Sequence, residues 1–260
     1  MIARPFHDAT IIAAWLFCST LTGMTAFAAG LPEEPATVVA TTSWTAAFAQ
    51  AAGVQRIHVL APAQLRHPAE YELKPSDIEA VTQADLVIYA GYEIMIRRIQ
   101  DAIGGEKPDL LQITTDYRMD TIRRWVLAIA DATGERTAAK RSIQELEAFY
   151  SVWRQRLPHK LKEAPVLVHF FQRSLAEELG LNVAGVFGPG PLEARQIVDL
   201  SAKNAILIID NWHNQVGSPL KEAMPGIAYA ALINFPGEGG TESLIDVLGY
   251  NRRTLEQTDL

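Results

Sequence analysis

The feature that most constrains the fold of this chain is the alternation of short apolar strands with helical segments, which occurs in two blocks. The predicted strands are 38–41, 57–60, 86–89 and 110–113 in the first block, and 166–168, 183–186, 205–209 and 228–233 in the second. Strands that alternate with helices form mostly parallel sheets with helices on their faces. The sequence therefore predicts an α/β protein with two lobes, each a mostly parallel sheet flanked by helices.

A long helical segment separates the two blocks. The pattern is helical from Asp120 to about Leu157, with one interruption near Gly134. Apolar residues recur at spacings of three and four in its second part, which predicts an uninterrupted helix of about twenty residues from Thr137, roughly 30 Å long. We predict that this helix joins the lobes as a rigid connection. The alternative is a surface helix of a single domain.

The N-terminal residues 1–28 are predicted to be a cleaved signal peptide. Arg4 precedes an uncharged stretch that runs from Ala9 to Pro32, and Ala26-Phe-Ala28 is typical of a cleavage site. An uncleaved membrane anchor is the alternative, because the stretch is long enough to span a bilayer. We expect residues 29–118 to form the N-terminal lobe, 119–157 the connecting helix region and 158–260 the C-terminal lobe.

Composition limits the chemistry that the mature chain can perform. The single cysteine, Cys18, lies in the predicted signal segment, so a metal site would have to use His, Asp and Glu side chains. The formal net charge is −7 and the chain has no basic run, which argues against a nucleic-acid partner. No further stretch of the sequence is long and apolar enough to cross a membrane.

Histidines and carboxylates follow predicted strand ends in both lobes. Ligands of open α/β sheets bind beyond the carboxyl ends of the strands, so these side chains are candidates for one site in a cleft between the lobes. The candidate metal ligands are His67, Glu70, His169, His213 and Glu242, with Glu238 as an alternative carboxylate. Imidazole and carboxylate ligands suit Zn²⁺ or Mn²⁺. Each loop alone also has a structural explanation, such as a tight turn at Asp210-Asn-Trp-His213.

Several stretches resemble those of a known family. They are Pro68-Ala-Glu-Tyr-Glu-Leu-Lys-Pro-Ser-Asp77, the strand Ala84–Gly91, the segment from His169 to Gly180-Leu181, and Tyr250-Asn251 near the C-terminus. With them, nearly all of the mature chain resembles the zinc/manganese-binding periplasmic receptors of ABC importers, whose two lobes are joined by one long helix.

The resemblance implies a function and a set of partners. It implies a periplasmic solute-binding protein, not an enzyme, that captures a divalent transition metal (Zn or Mn as the transported ligand) in the inter-lobe cleft. The metal would be delivered to a membrane ABC permease. We also expect a monomer that binds no nucleic acid.

The chain departs from the family pattern at three positions. The family's first histidine aligns with Ala69, so His67 or Glu70 is expected to substitute for it. The family's mid-chain histidine has no counterpart near Thr114–Asp120, and His213 is the expected replacement. The late aspartate falls near Asn234, which leaves Glu238 or Glu242 as candidate donors. These changes predict a divergent subgroup with a rearranged set of ligands.

Two other functions fit the same residues. A zinc-dependent hydrolase could use the His/Glu cluster, although the chain has neither His-Glu-x-x-His nor Gly-x-Ser-x-Gly. A receptor for a metal chelate or a small anion could use the Gly188-Pro-Gly-Pro191 loop and Arg195.

Overall fold

Eight parallel strands form the framework of the described part of the chain. They are β1 (Thr37–Ala40), β2 (Arg56–Val59), β3 (Leu86–Tyr89), β4 (Asp109–Gln112), β5 (Pro165–His169), β6 (Asn182–Phe187), β7 (Leu207–Asn211) and β8 (Ala228–Leu232). One sheet has the order β2-β1-β3-β4 and the other the order β6-β5-β7-β8. Every neighbouring pair is parallel. The predicted α/β fold with two lobes is therefore confirmed.

The computed structural model describes Met1, residues 34–104 and residues 108–260. The predicted signal peptide, with His7, Cys18 and the proposed cleavage site, lies outside the described residues. The helices are α1 (Ser43–Ala52), α2 (Pro75–Gln83), α3 (Ile96–Ala102), α4 (Met119–Thr133), α5 (Arg136–Arg156), α6 (His159–Glu163), α7 (Arg173–Glu178), α8 (Ala194–Ser201), α9 (Ser218–Ala223) and α10 (Leu244–Glu256). Among these residues, no helix combines the length and the apolar character needed to cross a bilayer.

The position of each strand in its sheet explains its composition. β5 and β7 lie at the centre of the second sheet, where helices cover both faces, and Val166–Val168 and Leu207–Ile209 are buried. Such strands are read as continuous apolar runs rather than as alternating patterns. β2 and β4 are edge strands of the first sheet, and their side chains are mostly exposed or half-buried.

The helical region between the sheets consists of α4 and α5. The break between them lies at Gly134, whose φ of 79° is in the left-handed region that favours glycine. The buried stripe of α5 packs against α1, α4 and α10 and consists of Ala139, Ile143, Leu146, Tyr150 and Trp153. Through these helices, one hydrophobic core reaches from the first sheet to the second. The domain boundaries at 118/119 and 157/158 stay predictions.

Two helix starts differ from those predicted. We expected Ser76 or Asp77 to cap α2, but the N-cap is Lys74, and Asp77 accepts the Lys74 backbone N–H at 2.7 Å from inside the first turn. We expected Thr241 to cap the last helix, but its hydroxyl donates to the Glu238 carbonyl. Ser243 caps α10 instead, because it and Asp246 satisfy each other's backbone N–H groups.

Candidate functional site

A cleft of about 1430 Å³ lies where the carboxyl ends of the strands of both sheets meet. Loops from each lobe line it. The first lobe contributes the loop after β2 and the loop after β4, and the second lobe contributes the loops after β5, β7 and β8. The lining residues that concern us are Arg66, His67, Glu70, Asp116, Asn211, His213 and Asn234.

The structure brings three of the five predicted ligands to this cleft. His67 and Glu70 are exposed and line it from the first lobe, and His213 lines it from the second. His169 and Glu242 are not among its lining residues. Within the described residues, no three His, Cys, Asp or Glu side chains are grouped so that they could hold a metal ion. The ligand set therefore stays a prediction.

His213 is held in an apolar pocket at the edge of the cleft. It is 5% exposed, and its ring stacks on Phe235 with the centroids 3.6 Å apart. Its Nδ1 accepts a long hydrogen bond of 3.5 Å from the Asn234 backbone N–H. Burial lowers the pKa of His213 to about 4, and the positive charges of Arg66 and His67 act in the same direction. The imidazole is therefore neutral near pH 7, as a metal ligand must be.

His169 lies behind the cleft wall rather than in it. It is fully buried, and its Nδ1 accepts the Phe171 backbone N–H at 3.1 Å. The ring contacts Phe187 edge-on, and its Nε2 points at the backbone of Gly188, where an added Cβ would lie 2.6 Å away. Burial lowers the pKa of His169, opposed by the charge of Asp210. This ring has to turn before it can reach an ion in the cleft.

The two late glutamates lie away from the cleft. Glu242 is exposed just before α10, and Glu238 is half-buried in a short 3₁₀ turn. Neither side chain lines the cavity. The residue nearest to the expected aspartate position that does line it is Asn234.

Sequence analysis missed one carboxylate of the cleft. Asp116 lies in the loop between β4 and α4, is half-buried, and accepts the Arg118 backbone N–H at 2.9 Å. Burial raises its pKa. The strand-end rule that selected the histidines would have found Asp116 as well, because it follows β4. The search near this position was for a histidine.

Polar contacts tie the two lobes together across the cleft. Arg66 of the first lobe donates to the Trp212 backbone carbonyl of the second, and its guanidinium lies 4.6 Å from the Trp212 ring centre. Farther along, Arg118 Nη1 lies 3.1 Å from Glu177 Oε2. The Arg66 contact places the loop that carries His67 beside the loop that carries His213. The cleft thus offers neutral imidazole and carboxylate groups from opposite lobes, which can bind a divalent cation without any covalent step.

Solved structures share this fold. The laminin-binding protein Lbp of Streptococcus pyogenes matches with a TM-score of 0.64 and 17% identity, covering 86% of this chain and 99% of that one. The AdcAII protein of Streptococcus pneumoniae matches with a TM-score of 0.65 and 15% identity, covering 87% and 100%. The protein FpvC of Pseudomonas aeruginosa, solved with Mn²⁺, matches with a TM-score of 0.64 and 18% identity, covering 86% and 96%. At these identities the matches establish the fold alone.

Sequence comparison supports the same relationship over the first lobe. No curated protein sequence matches the chain significantly. Residues 38–123, which run from β1 into α4, match a family described as the zinc-uptake complex component A, periplasmic. The resemblance to metal-binding receptors of ABC importers that the sequence predicted is thus confirmed, by this family match over the first lobe and by the shared fold over most of the chain.

Proposed function

We propose that this protein is a periplasmic solute-binding protein that captures Zn²⁺ or Mn²⁺ as cargo in the inter-lobe cleft and delivers it to a membrane ABC permease. The observation that carries the proposal is that His67 and His213, from opposite lobes, line one cleft at the strand ends. The family match over residues 38–123 supports it. These findings favour the receptor over a hydrolase or a chelate receptor, and cargo capture requires no catalysis.

The first shell of the ion is proposed to form as it binds. His67 and Glu70 are exposed on the first-lobe loop and can move, whereas His213 is fixed by its stacking on Phe235. Asp116 supplies a further carboxylate from the first lobe. Divalent ions draw such groups together because each coordinate bond replaces a water molecule. His169 would join only after its ring turned away from Gly188.

The location and the partners belong to the same proposal. The family description names a periplasmic component, and the predicted signal peptide would bring the mature chain, residues 29–260, to that compartment. We expect the receptor to act as a monomer. N-terminal sequencing of the exported protein would test the cleavage, since an uncleaved chain would retain residues 1–28 as an anchor.

Metal titration of residues 29–260 tests the proposed function. We expect one tightly bound equivalent of Zn²⁺ or Mn²⁺, and weaker binding in His67→Ala and His213→Ala. His159→Ala is the matched control, because His159 lies in α6 beside Glu163 and does not line the cleft. Absence of tight binding in the wild type would refute metal capture. Unchanged binding in both cleft variants would refute this site.

His169→Ala adds separate information in the same titration. Weaker binding, with folding unaffected, would mean that the ring turns into the cleft when the ion binds. Unchanged binding would assign His169 to the packing between Phe171 and Phe187.

A further inference from the structure

Two asparagines on the second-lobe side of the cleft carry amide atoms without hydrogen-bond partners. Asn211 is the last residue of β7, and Asn234 follows β8 by two residues. Both line the cleft, with exposures of 1% and 5%. Among the described residues, neither Asn211 Nδ2 nor Asn234 Oδ1 has a partner. An unsatisfied buried amide atom costs about 1–3 kcal/mol, so such atoms in a binding cleft indicate a ligand.

The surrounding structure holds these amides in place. Gln172 Nε2 donates to Asn211 Oδ1 at 3.1 Å and to the Leu232 carbonyl at 3.0 Å, which leaves the Asn211 amide nitrogen free. The Asn251 amide binds both the N–H and the carbonyl of Ile233, at 2.9 and 2.8 Å, and so fixes the backbone that leads to Asn234.

The second-lobe carboxylates near this wall are already engaged. Glu177 lines the cleft, but its two oxygens accept from Arg118 and Arg173. Asp210 is fully buried and accepts the Gly217 N–H and the Tyr229 hydroxyl. Asn234 Oδ1 is therefore the free oxygen beside His213, whose Nδ1 accepts the Asn234 backbone N–H.

We propose that Asn234 Oδ1 is a direct ligand of the cargo ion next to His213, so that the second lobe supplies only neutral donors. This inference rests on the proposed function. Amide oxygens are established ligands of divalent cations. A metal–oxygen bond of roughly 2.0–2.2 Å is shorter than a water contact, so an ion that has shed its water can reach an oxygen that water does not. The negative charge of the site then comes from the first lobe, through Glu70 and Asp116.

The test compares Zn²⁺ and Mn²⁺ titrations of the wild type, Asn234→Ala and Asn234→Asp. Alanine removes the donor, and we expect the affinity to fall at least about tenfold, the lower range for a disturbed metal shell. Aspartate adds a charged oxygen, and we expect a tighter complex. In the metal-free state Asn234→Asp should melt at a lower temperature than the wild type, because its carboxylate is buried without a partner. Its rise in melting temperature with metal should then be the larger one.

Asn214→Ala is the matched control for these variants. Asn214 also lines the cleft, but its Nδ2 donates to the Pro189 carbonyl at 2.9 Å, and we expect metal affinity like that of the wild type. Circular dichroism checks that each variant is folded, and Asn234→Asp alone decides if the alanine variant does not fold. Wild-type affinity in both Asn234 variants would overturn the inference and leave the receptor function standing. A wild type that binds neither metal would overturn both.

Discussion

At the scale of single residues, the role of a histidine depends on which ring nitrogen its neighbours occupy. A neutral imidazole that accepts a hydrogen bond at Nδ1 carries its proton on Nε2, whereas a metal-bound Nε2 requires a proton on Nδ1. His169 accepts a short bond at Nδ1 and is committed to that arrangement. His213 accepts only at 3.5 Å, so its ring is free to exchange tautomers when an ion binds.

Glu93 organises the first-lobe rim of the cleft, and we expect Glu93→Gln to destabilise the protein. The carboxylate is 2% exposed and accepts the Thr41 hydroxyl at 2.6 Å, the Ala90 N–H at 2.9 Å and the Gly91 N–H at 2.6 Å. Glutamine would turn an amide N–H toward one of these donors. The free energy of unfolding in urea should fall by about 2–3 kcal/mol.

Glu72→Gln is the control for this prediction. Glu72 is exposed, so its substitution should change the free energy of unfolding by less than about 0.5 kcal/mol. Equal stability of the two variants would mean that the Glu93 carboxylate does not stabilise the rim.

The sequence predicted part of the candidate site, and the reasons differ from residue to residue. His67 and His213 were found because both follow strands, and the carboxyl ends of parallel strands meet at one edge of a sheet. The burial of His169 could not be predicted, since it depends on the Phe171 N–H and on the space left by Gly188. The free oxygen of Asn234 depends on which neighbouring groups are already paired, and spacing along the chain does not report that.

At the scale of secondary structure, strands were predicted more accurately than helix starts. Buried parallel strands such as β5 and β7 consist of continuous apolar residues, which no loop of this chain imitates. Helix caps depend on single side chains, and several polar residues near each start can compete. At α10, Thr241 and Ser243 both could have capped the helix, and the loop took the Thr241 hydroxyl.

Two buried tyrosines join α5 to the segment that precedes α4, and we expect them to make the protein sensitive to alkali. The Tyr150 hydroxyl donates to the Tyr117 carbonyl at 2.7 Å, and burial raises the pKa of both tyrosines well above its usual value. Tyrosine in an unfolded chain ionises near pH 10. Above about pH 10 the unfolded state therefore binds fewer protons than the folded state, and stability falls as the pH rises.

Urea unfolding of the wild type and Tyr150→Phe between pH 8 and 11 measures this effect. The variant should lose about 1 kcal/mol at pH 8, because the Tyr117 carbonyl loses its donor. Its stability should then decline less steeply above pH 10 than that of the wild type. Parallel declines in the two proteins would show that Tyr150 does not couple folding to pH.

At the scale of the whole molecule, the lobes share one core. Val38 and Ile88 of the first sheet belong to the same buried cluster as Val168 and Ile209 of the second. The Ser43 hydroxyl donates to the Pro236 carbonyl at 2.8 Å, and Trp44 packs on Phe235. Separate domains would each have their own core and would move freely about a linker. Here we infer that ion binding moves the exposed loop of His67 more than it rotates the lobes.

The shared core leads to a prediction about unfolding. If the buried cluster holds both sheets, neither lobe can lose its packing without exposing apolar surface of the other, so both should unfold in one cooperative transition. Far-UV circular dichroism and tryptophan fluorescence should give the same midpoint, and the calorimetric and van't Hoff enthalpies should agree. Zinc should raise the whole transition, by about 2.7 kcal/mol at a free concentration one hundred times the dissociation constant.

A point in the shared core provides the control for this prediction. Ile143 of α5 is 6% exposed, and Ile143→Ala should lower the single midpoint, by roughly 2–5 kcal/mol of unfolding free energy, without splitting it. Two transitions, of which zinc raises only one, would contradict the shared core. They would show instead that the lobes fold independently and that the ion is held by one of them, in which case His67 and His213 could not both be its ligands.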